Sequence, residues 1–335
     1  MMECTPSSNF KEITRHTDYF KNVVEPLLAT GCEEKLCEWM KKNCLISKQL
    51  LCPVEGCGQE PMRWSKARVI DRYNWICVKC KKKLPIRHES FLADLKCDFS
   101  SVFTAIDGWC SHKLLTEFSD NKTYRVTVGK RIYSMCASAA ESYMKNHPEL
   151  GVLGGKTPDG EDAVVIVDVF PDGSMTLQPQ NNNNYTKKVL CVADTSHIPA
   201  RVWTQLLENS YEEDQSKIMD IVIAHVKPNS TIVTSHILYP FIKNVQGYSE
   251  VINIKTLMTF DPAEHQRSLK NIETIWATTV ETCQQVQNLS PNAAEQLLWE
   301  LHWRQIFGLD AFRYILQHIV QYTNTSSQIV ISAPK

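Results

Sequence analysis

Residues Ala163–Phe170 read AVVIVDVF, seven apolar side chains around one carboxylate, Asp168. A short run this apolar is what a central strand, buried on both faces, requires. Working outward, SMTLQ (174–178) and KVLCVA (188–193) read as further strands, and the NNNN tract at 181–184 as an exposed hairpin loop between them. RVWTQLLE (201–208) fits a strand or a helix equally. EDQSKIMDIVIAHV (213–226) has a helical pattern. STIVTS (Ser230–Ser235) is a strand that runs straight into HILYPFI, and GYSEVINI (247–254) is another short strand. From Asp261 the chain is helical, with SPNAAEQLLWELHWRQIF (290–307) and GLDAFRYILQHIVQYT (308–323) as the closing helices. Interleaved strands and helices in this order predict an α/β domain with mixed strand directions, over about residues 160–325.

The chain ahead of this domain has a different texture. Residues 1–50 read as helical, with apolar residues at three- and four-residue steps in FKNVVEPLL and KLCEWMKKNCLI. Residues 51–90 are rich in Cys, Lys and Arg. Residues 91–150 read as helical again, with Val102, Phe103, Ile106, Trp109 and Cys110 on one face. HPELGVLGGKTPDGEDA (147–163) reads as the boundary before the α/β domain. The net charge of −1 conceals an asymmetry. Residues 1–150 carry 23 Lys and Arg against 18 Asp and Glu, and the remainder 13 against 19, so the front is the half suited to polyanions. No apolar run approaches the roughly 20 residues of a membrane span, and the start lacks a signal-peptide core. A soluble intracellular protein, not a secreted one, is expected. The odd count of 13 cysteines fits reduced thiols better than a disulfide framework.

Four cysteines have metal spacing. Cys52 and Cys57 lie in CPVEGC, and Cys77 and Cys80 in CVKC. Two pairs about twenty residues apart, each on a tight turn, bring four thiolates to one Zn²⁺ as a closed, structural site. The alternative is four unrelated cysteines. Around them stand Arg63, Lys66, Arg68, Arg72, Lys79, Lys81, Lys82, Lys83 and Arg87, with Asp71 the one acid between Arg63 and Arg87. Trp64, Tyr73 and Trp75 are interleaved. Cations with aromatic contacts suit nucleic acid, and a solvated loop face is the bland alternative. KCKKK also has the composition of a nuclear address. The helix near 100–112, the break at SDNK (119–122) and the helix from about Thr123 are compatible with a helix-turn-helix or an ordinary helical hairpin. Lys122, Arg125, Lys130 and Arg131 fall on its second helix.

Asp168 near the end of a buried strand, and Glu273 in NIETIW on a later helix, are candidates for the carboxylates that hold two Mg²⁺ or Mn²⁺ ions in phosphoryl transfer. Taken singly, one is a strand-end cap and the other a solvated helical acid. Their order and setting resemble those of the Merlin-superfamily transposases and their bacterial insertion-sequence relatives. The resemblance extends over nearly the whole chain. It rests on LCEWMKKNCLISKQLLCPVEGCGQEPMRW, RYNWICVKCKKKLPIRHESFL, SAAESYMKNHPELGVLGG, VVIVDVF, GYSEVINIKTLMTFDPAEHQRSLKNIETIW and WELHWRQIFGLDAFRYILQHI, in that order.

The resemblance implies an RNase H-like mixed-sheet domain preceded by a zinc ribbon and a small helical, helix-turn-helix-like region. It implies DNA as partner, a homodimer, and a nuclear location if the host is eukaryotic, otherwise a cytoplasmic one. The family's first acid maps to Asp168 and its third to Glu273. Its second falls in TIVTSHILY, where Thr234 and Tyr239 are kept but Ser235 stands at the Asp position. Val169 and Ile254 replace two further polar residues of the pattern. A hydroxyl is a poor ligand beside a carboxylate for a hard dication. His236, Asp194 and Asp220 are the candidates to stand in for it. Three readings follow: a DNA-binding protein that has lost cutting, an active metal-dependent transposase, and an interaction or dimerisation scaffold.

Overall fold

A computed structural model describes residues 19–57, 60–114, 126–172, 185–197, 200–207, 215–259 and 262–332. The chain divides into two compact units, Met1–Ala140 with Phe307–Lys335, and Glu141–Ile306.

The first unit opens with irregular turns over Phe20–Val24 and Glu25–Leu28, where Pro26 removes the N–H that a regular helix would use. The first helix, α1 (Glu33–Lys42), has Glu33 and Glu34 in its first turn and Lys41 and Lys42 in its last, which complements the helix dipole. Leu36, Cys37 and Met40 are its buried face. Three short antiparallel strands follow, β1 (Met62–Lys66), β2 (Tyr73–Cys77) and β3 (Lys83–Pro85), in the order β1-β2-β3. Helix α2 (Phe99–Cys110) is capped by Asp98, whose Oδ1 accepts from the Ser101 N–H at 2.7 Å. Its buried face holds Val102, Phe103, Ile106 and Trp109, as the periodicity predicts, with Cys110 half-buried. Helix α3 spans Val126–Asn146, and the SDNK break lies outside the described residues.

The second unit is built on one mixed sheet. Its strands are β4 (Val164–Phe170), β5 (Lys188–Asp194), β6 (Arg201–Leu207), β7 (Thr231–Thr234) and β8 (Glu250–Asn253). The order is β6-β5-β4-β7-β8. β4 pairs antiparallel with β5 and parallel with β7; β5–β6 is antiparallel and β7–β8 parallel. AVVIVDVF is therefore the middle strand. SMTLQ and the asparagine tract lie outside the described residues. RVWTQLLE is a strand, not a helix. Helix α4 (Gln215–His225) joins β6 to β7, and α5 (Tyr239–Ile242) lies between β7 and β8. After β8 come α6 (Ile254–Thr259), the long α7 (Pro262–Val286) and α8 (Pro291–Phe307). The last helix, α9 (Ala311–Ser332), groups with the first unit, where Phe312 packs against Phe20 at 5.1 Å between ring centroids.

Strand alternation sends β4 side chains into two separate cores. Val165, Val167 and Val169 pack with Ile218, Ile221 and Val222 of α4. Ile166 and Phe170 pack with Ile272, Trp276, Val280 and Cys283 of α7. Among the described residues no helix is long and apolar enough to cross a membrane.

The outer edge of β6 is closed by α8. Gln305 accepts from the Val202 N–H at 2.6 Å and donates to the Val202 carbonyl at 2.9 Å. His302 Nε2 accepts from the Thr204 N–H at 2.9 Å and lies 3.0 Å from its hydroxyl. Two consecutive outward N–H groups of an edge strand are thus satisfied by side chains, which blocks pairing with another strand. Trp203 lies between the His225 and His302 rings, stacked at 4.0 and 4.2 Å. A Cβ on Gly151 would come within 2.5 Å of that indole, so the stack leaves room for glycine alone.

Burial holds the His302 pKa at about 3, below the ordinary 6.5. The native state therefore refuses a proton that the unfolded chain takes up below pH 6.5. Stability is full above pH 6.5 and falls as pH drops toward 3, by up to about 1.4 kcal/mol per pH unit for this group. Between pH 7 and 5 the unaltered protein should lose roughly 2 kcal/mol more in urea unfolding than His302→Gln, which keeps an acceptor for Thr204. Equal losses would show that His302 does not govern the acid limb.

Candidate functional site

The turns that flank the first sheet bring four sulfurs together. Cys77 ends β2, and a tight turn closed by the Lys81 N–H on the Cys77 carbonyl (3.1 Å) places Cys80 beside it. Cys52 and Cys57 lie on the facing turn, whose Cys52 N–H donates to Glu60 and whose Cys57 N–H donates to Val54. The four Sγ atoms lie within 4.8 Å of one another, with Cys52–Cys80 at 3.4 Å and Cys57–Cys77 at 3.5 Å. A tetrahedral ion with metal–sulfur bonds of about 2.3 Å needs sulfur–sulfur edges of about 3.8 Å, so the cluster could hold a metal such as zinc. The thiols are electrostatically unequal. The Cys80 N–H, and then that of Lys79, lower the Cys77 pKa to about 6, whereas burial pushes Cys57 up to about 12. Four adjacent thiolates need a shared cation to coexist. Among the described residues no other such group of three or more His, Cys, Asp or Glu is present.

The cations around the cluster separate into two kinds. Arg63, Lys66, Arg68, Arg72, Lys79, Lys81, Lys82 and Lys83 are all exposed. Lys79 and Lys81 also donate to the Cys57 and Val78 carbonyls, and Glu33 lies close enough to Arg72 and Lys66 for each to lower its pKa slightly, behind its backbone hydrogen bonds. Arg87 does not belong with them. It is 4% exposed and forms a two-pronged pair with Asp71, through Nε to Oδ2 at 2.7 Å and through Nη2 to Oδ1. Its remaining donors reach the Leu95 and Cys97 carbonyls at 2.7 Å, and the guanidinium lies over the Phe99 ring. It is an internal clamp, with four of its five N–H donors engaged and its burial keeping it from a phosphate. Tyr73 and Trp75 are likewise buried, so the aromatics predicted to meet bases mostly form the small sheet's own core. Trp64 pairs with Trp75 across the strands at 5.8 Å and carries Lys41 over its ring.

Of the second-helix cations, Lys122 and Arg125 lie outside the described residues. Lys130 is exposed on α3. Arg131 is exposed but bonds the Asp94 carboxylate and carbonyl at 3.3 Å.

The second cluster sits on the central strand. The parallel ladder between β4 and β7 ends at Val167 opposite Thr234. Asp168, within β4, and Ser235, just past the end of β7, each follow that last pair by one residue. Both are fully buried. Asp168 Oδ1 accepts from the Val169 N–H at 2.8 Å, and Thr234 donates to the Val167 carbonyl at 2.7 Å. Among the described residues Ser235 Oγ has no hydrogen-bond partner. Strand parity puts Asp168 on the α7 side with Ile166 and Phe170. There Cys191, its cross-strand neighbour, faces Cys283 of α7 at 3.4 Å. Burial first, then Cys283 and the Asp168 charge, push the Cys191 thiol well above its ordinary value. Glu273 is on α7, next to the buried Ile272; its side chain lies outside the described residues.

The three other candidate ligands, Asp194, Asp220 and His236, are differently placed. Asp194 falls on the opposite face of β5. Its oxygens accept from the Gly154 N–H and from the Ser196 N–H and hydroxyl, with His197 alongside at 3.4 Å. Asp220 is exposed on α4, across the sheet. His236 is exposed, past the end of β7. Ile254 is buried in the α7-side core. Sequence reasoning missed Arg87's structural role and the His302–Trp203–His225 stack. The only signal for the first was the lone acid in a cationic segment.

No protein-family model, curated protein or solved structure matches the chain.

Breaking the internal clamp by Arg87→Ala should cost about 3–5 kcal/mol, because Asp71 is left buried and alone. Chemical unfolding of the variant measures this, and a loss below 1 kcal/mol would return Arg87 to the solvated set. The protein should carry about one zinc per chain by elemental analysis, and Cys77→Ser should carry less than half as much.

Proposed function

We propose that this chain is a transposase-derived DNA-binding protein. Its Cys52–Cys57–Cys77–Cys80 ribbon holds a structural zinc and contacts duplex DNA, and its α/β unit is a phosphoryl-transfer domain that has lost cutting. The observation that carries the DNA-binding reading is the set of eight exposed cations on the small sheet and its turns, with the one intervening acid already neutralised inside. Such a surface neutralises phosphates and releases counterions, whatever the base sequence.

The second unit supports the ancestry. Its strands in chain order run 3-2-1-4-5, three antiparallel and two parallel, with a carboxylate near the end of the middle strand and a long helix carrying Glu273 after the last. This is in keeping with the RNase H-like domain that the resemblance to Merlin transposases implies. Loss of cutting rests on Ser235. A divalent cation beside Asp168 would find an uncharged hydroxyl at the adjoining strand end, and no carboxylate from Asp194 or Asp220 reaches it.

Duplex binding should weaken steeply with salt, log K falling against log salt by about 0.9 for each phosphate neutralised. Lys82→Ala with Lys83→Ala should flatten that slope by about 2 and weaken all sequences alike. Binding that ignores salt would defeat the reading. In plasmid nicking with Mg²⁺ or Mn²⁺, neither the unaltered protein nor Asp168→Asn should cut. Cutting by the unaltered protein that Asp168→Asn abolishes would make the chain an active enzyme.

A further inference from the structure

We propose that the tip of the β1–β2 hairpin is an apolar wedge that enters duplex DNA at a base step. The inference rests on the DNA-binding reading above and gives that surface its mode of contact. Val69 and Ile70 form the tip, 40% and 61% exposed. The two are adjacent, so the tip presents a small apolar surface among cations. Arg68 and Arg72 flank them, and Arg63 and Lys66 follow down the stem on β1, all exposed.

The tip is held, not loose. The Ala67 N–H donates to the Arg72 carbonyl at 2.8 Å, and the Arg72 N–H to the Val69 carbonyl at 3.0 Å. The residue after Ile70 is Asp71, whose buried carboxylate is locked on Arg87, itself tied to the Leu95 and Cys97 carbonyls. Arg72 then adopts a left-handed backbone (φ +62°) that turns the chain back into β2. Two β-branched side chains, already restricted in rotamer, are thus presented from a fixed turn and lose little freedom on insertion. Unstacking one base step costs an amount that burial of two such side chains, with arginines on the bordering phosphates, can offset.

Aliphatic residues among cations would also suit an anionic bilayer surface. Interfacial anchoring favours Trp and Tyr, however, and here Tyr73 and Trp75 are turned into the core. Duplex DNA is the better complement to a narrow two-residue tip between arginines.

The test uses the full chain, loaded with zinc, and a duplex of about 25 base pairs with a central TA step, the kind most easily kinked. A fluorescence donor and acceptor on its ends report bending, and anisotropy reports affinity. The unaltered protein should bind and bend the duplex. Val69→Ser with Ile70→Ser should weaken binding about tenfold at each salt concentration, keep the salt slope, and abolish bending, since lost apolar contacts release no counterions. Lys82→Ala with Lys83→Ala should do the reverse, flattening the slope and keeping the bend. Zinc content and circular dichroism establish that each variant is folded, and Ile70→Ser alone serves if the double variant is not. Binding without bending by the unaltered protein, or bending by the tip variant equal to the unaltered level, overturns the wedge and leaves the DNA-binding reading intact. No binding by the unaltered protein overturns both. Sedimentation with phosphatidylserine vesicles that the tip variant loses, while its DNA bending persists, assigns the tip to membranes instead.

Discussion

Four sulfur atoms within 4.8 Å of one another carry the first unit's sheet. Strands of five, five and three residues cannot bury enough surface to order themselves, and a three-stranded sheet this short is marginal in water. What the strands lack in area is made up by two polar constraints. The cysteines tie the turn before β1 to the turn after β2. The Asp71–Arg87 pair ties the hairpin tip to the segment leading into α2. With both in place, the other cations of this region are not needed to hold the sheet's turns together. They are free to face solvent, a condition for meeting a polyanion.

The second unit depends on a different constraint, the centrality of β4. A strand with a helix-covered core on each side and a neighbour on each edge has no solvated surface, and so every position on it is costly to make polar. Asp168 is the exception, placed where the parallel ladder with β7 stops. The outer edge of the sheet receives the opposite treatment. Gln305 and His302 satisfy the Val202 and Thr204 amides of β6, so the sheet does not offer that stretch of strand to another chain. A scaffold that works by strand addition along these residues is therefore disfavoured.

Much of this was legible in the sequence because it depends on local pattern. AVVIVDVF reads as a buried central strand, and CPVEGC with CVKC have metal-ligand spacing. RVWTQLLE could not be assigned, since its burial does not alternate. Trp203 is sandwiched by histidines 22 and 99 residues away in the chain, and side chains of α8 cover the strand edge. Arg87 was misplaced for a related reason. A cation in a cationic segment looks solvated, and its partner is 16 residues back, joined to it only once the hairpin folds. Tyr73 and Trp75 alternate properly for one face of β2, but pattern does not say whether that face meets a ligand or the protein's own core. That Asp168 and Ser235 both follow the last pair of the β4–β7 ladder is likewise a property of the parallel register, which no local pattern encodes.

Ser235 deserves its place in that register for energetic reasons. Ser235 follows the last β4–β7 pair by one residue, as Asp168 does, so a carboxylate at position 235 would add a second buried charge in the neighbourhood of Asp168. Two buried like charges so close cannot both ionise unless a cation lies between them. A protein that uses such a cation tolerates the pair, because the metal supplies the missing charge. A protein that does not use it is destabilised by the pair at all times. Serine removes the repulsion at the lower cost of one hydroxyl without a partner, about 1–3 kcal/mol. An acid in place of Ser235 would therefore destabilise the metal-free fold while strengthening metal binding, and the two effects have one electrostatic cause.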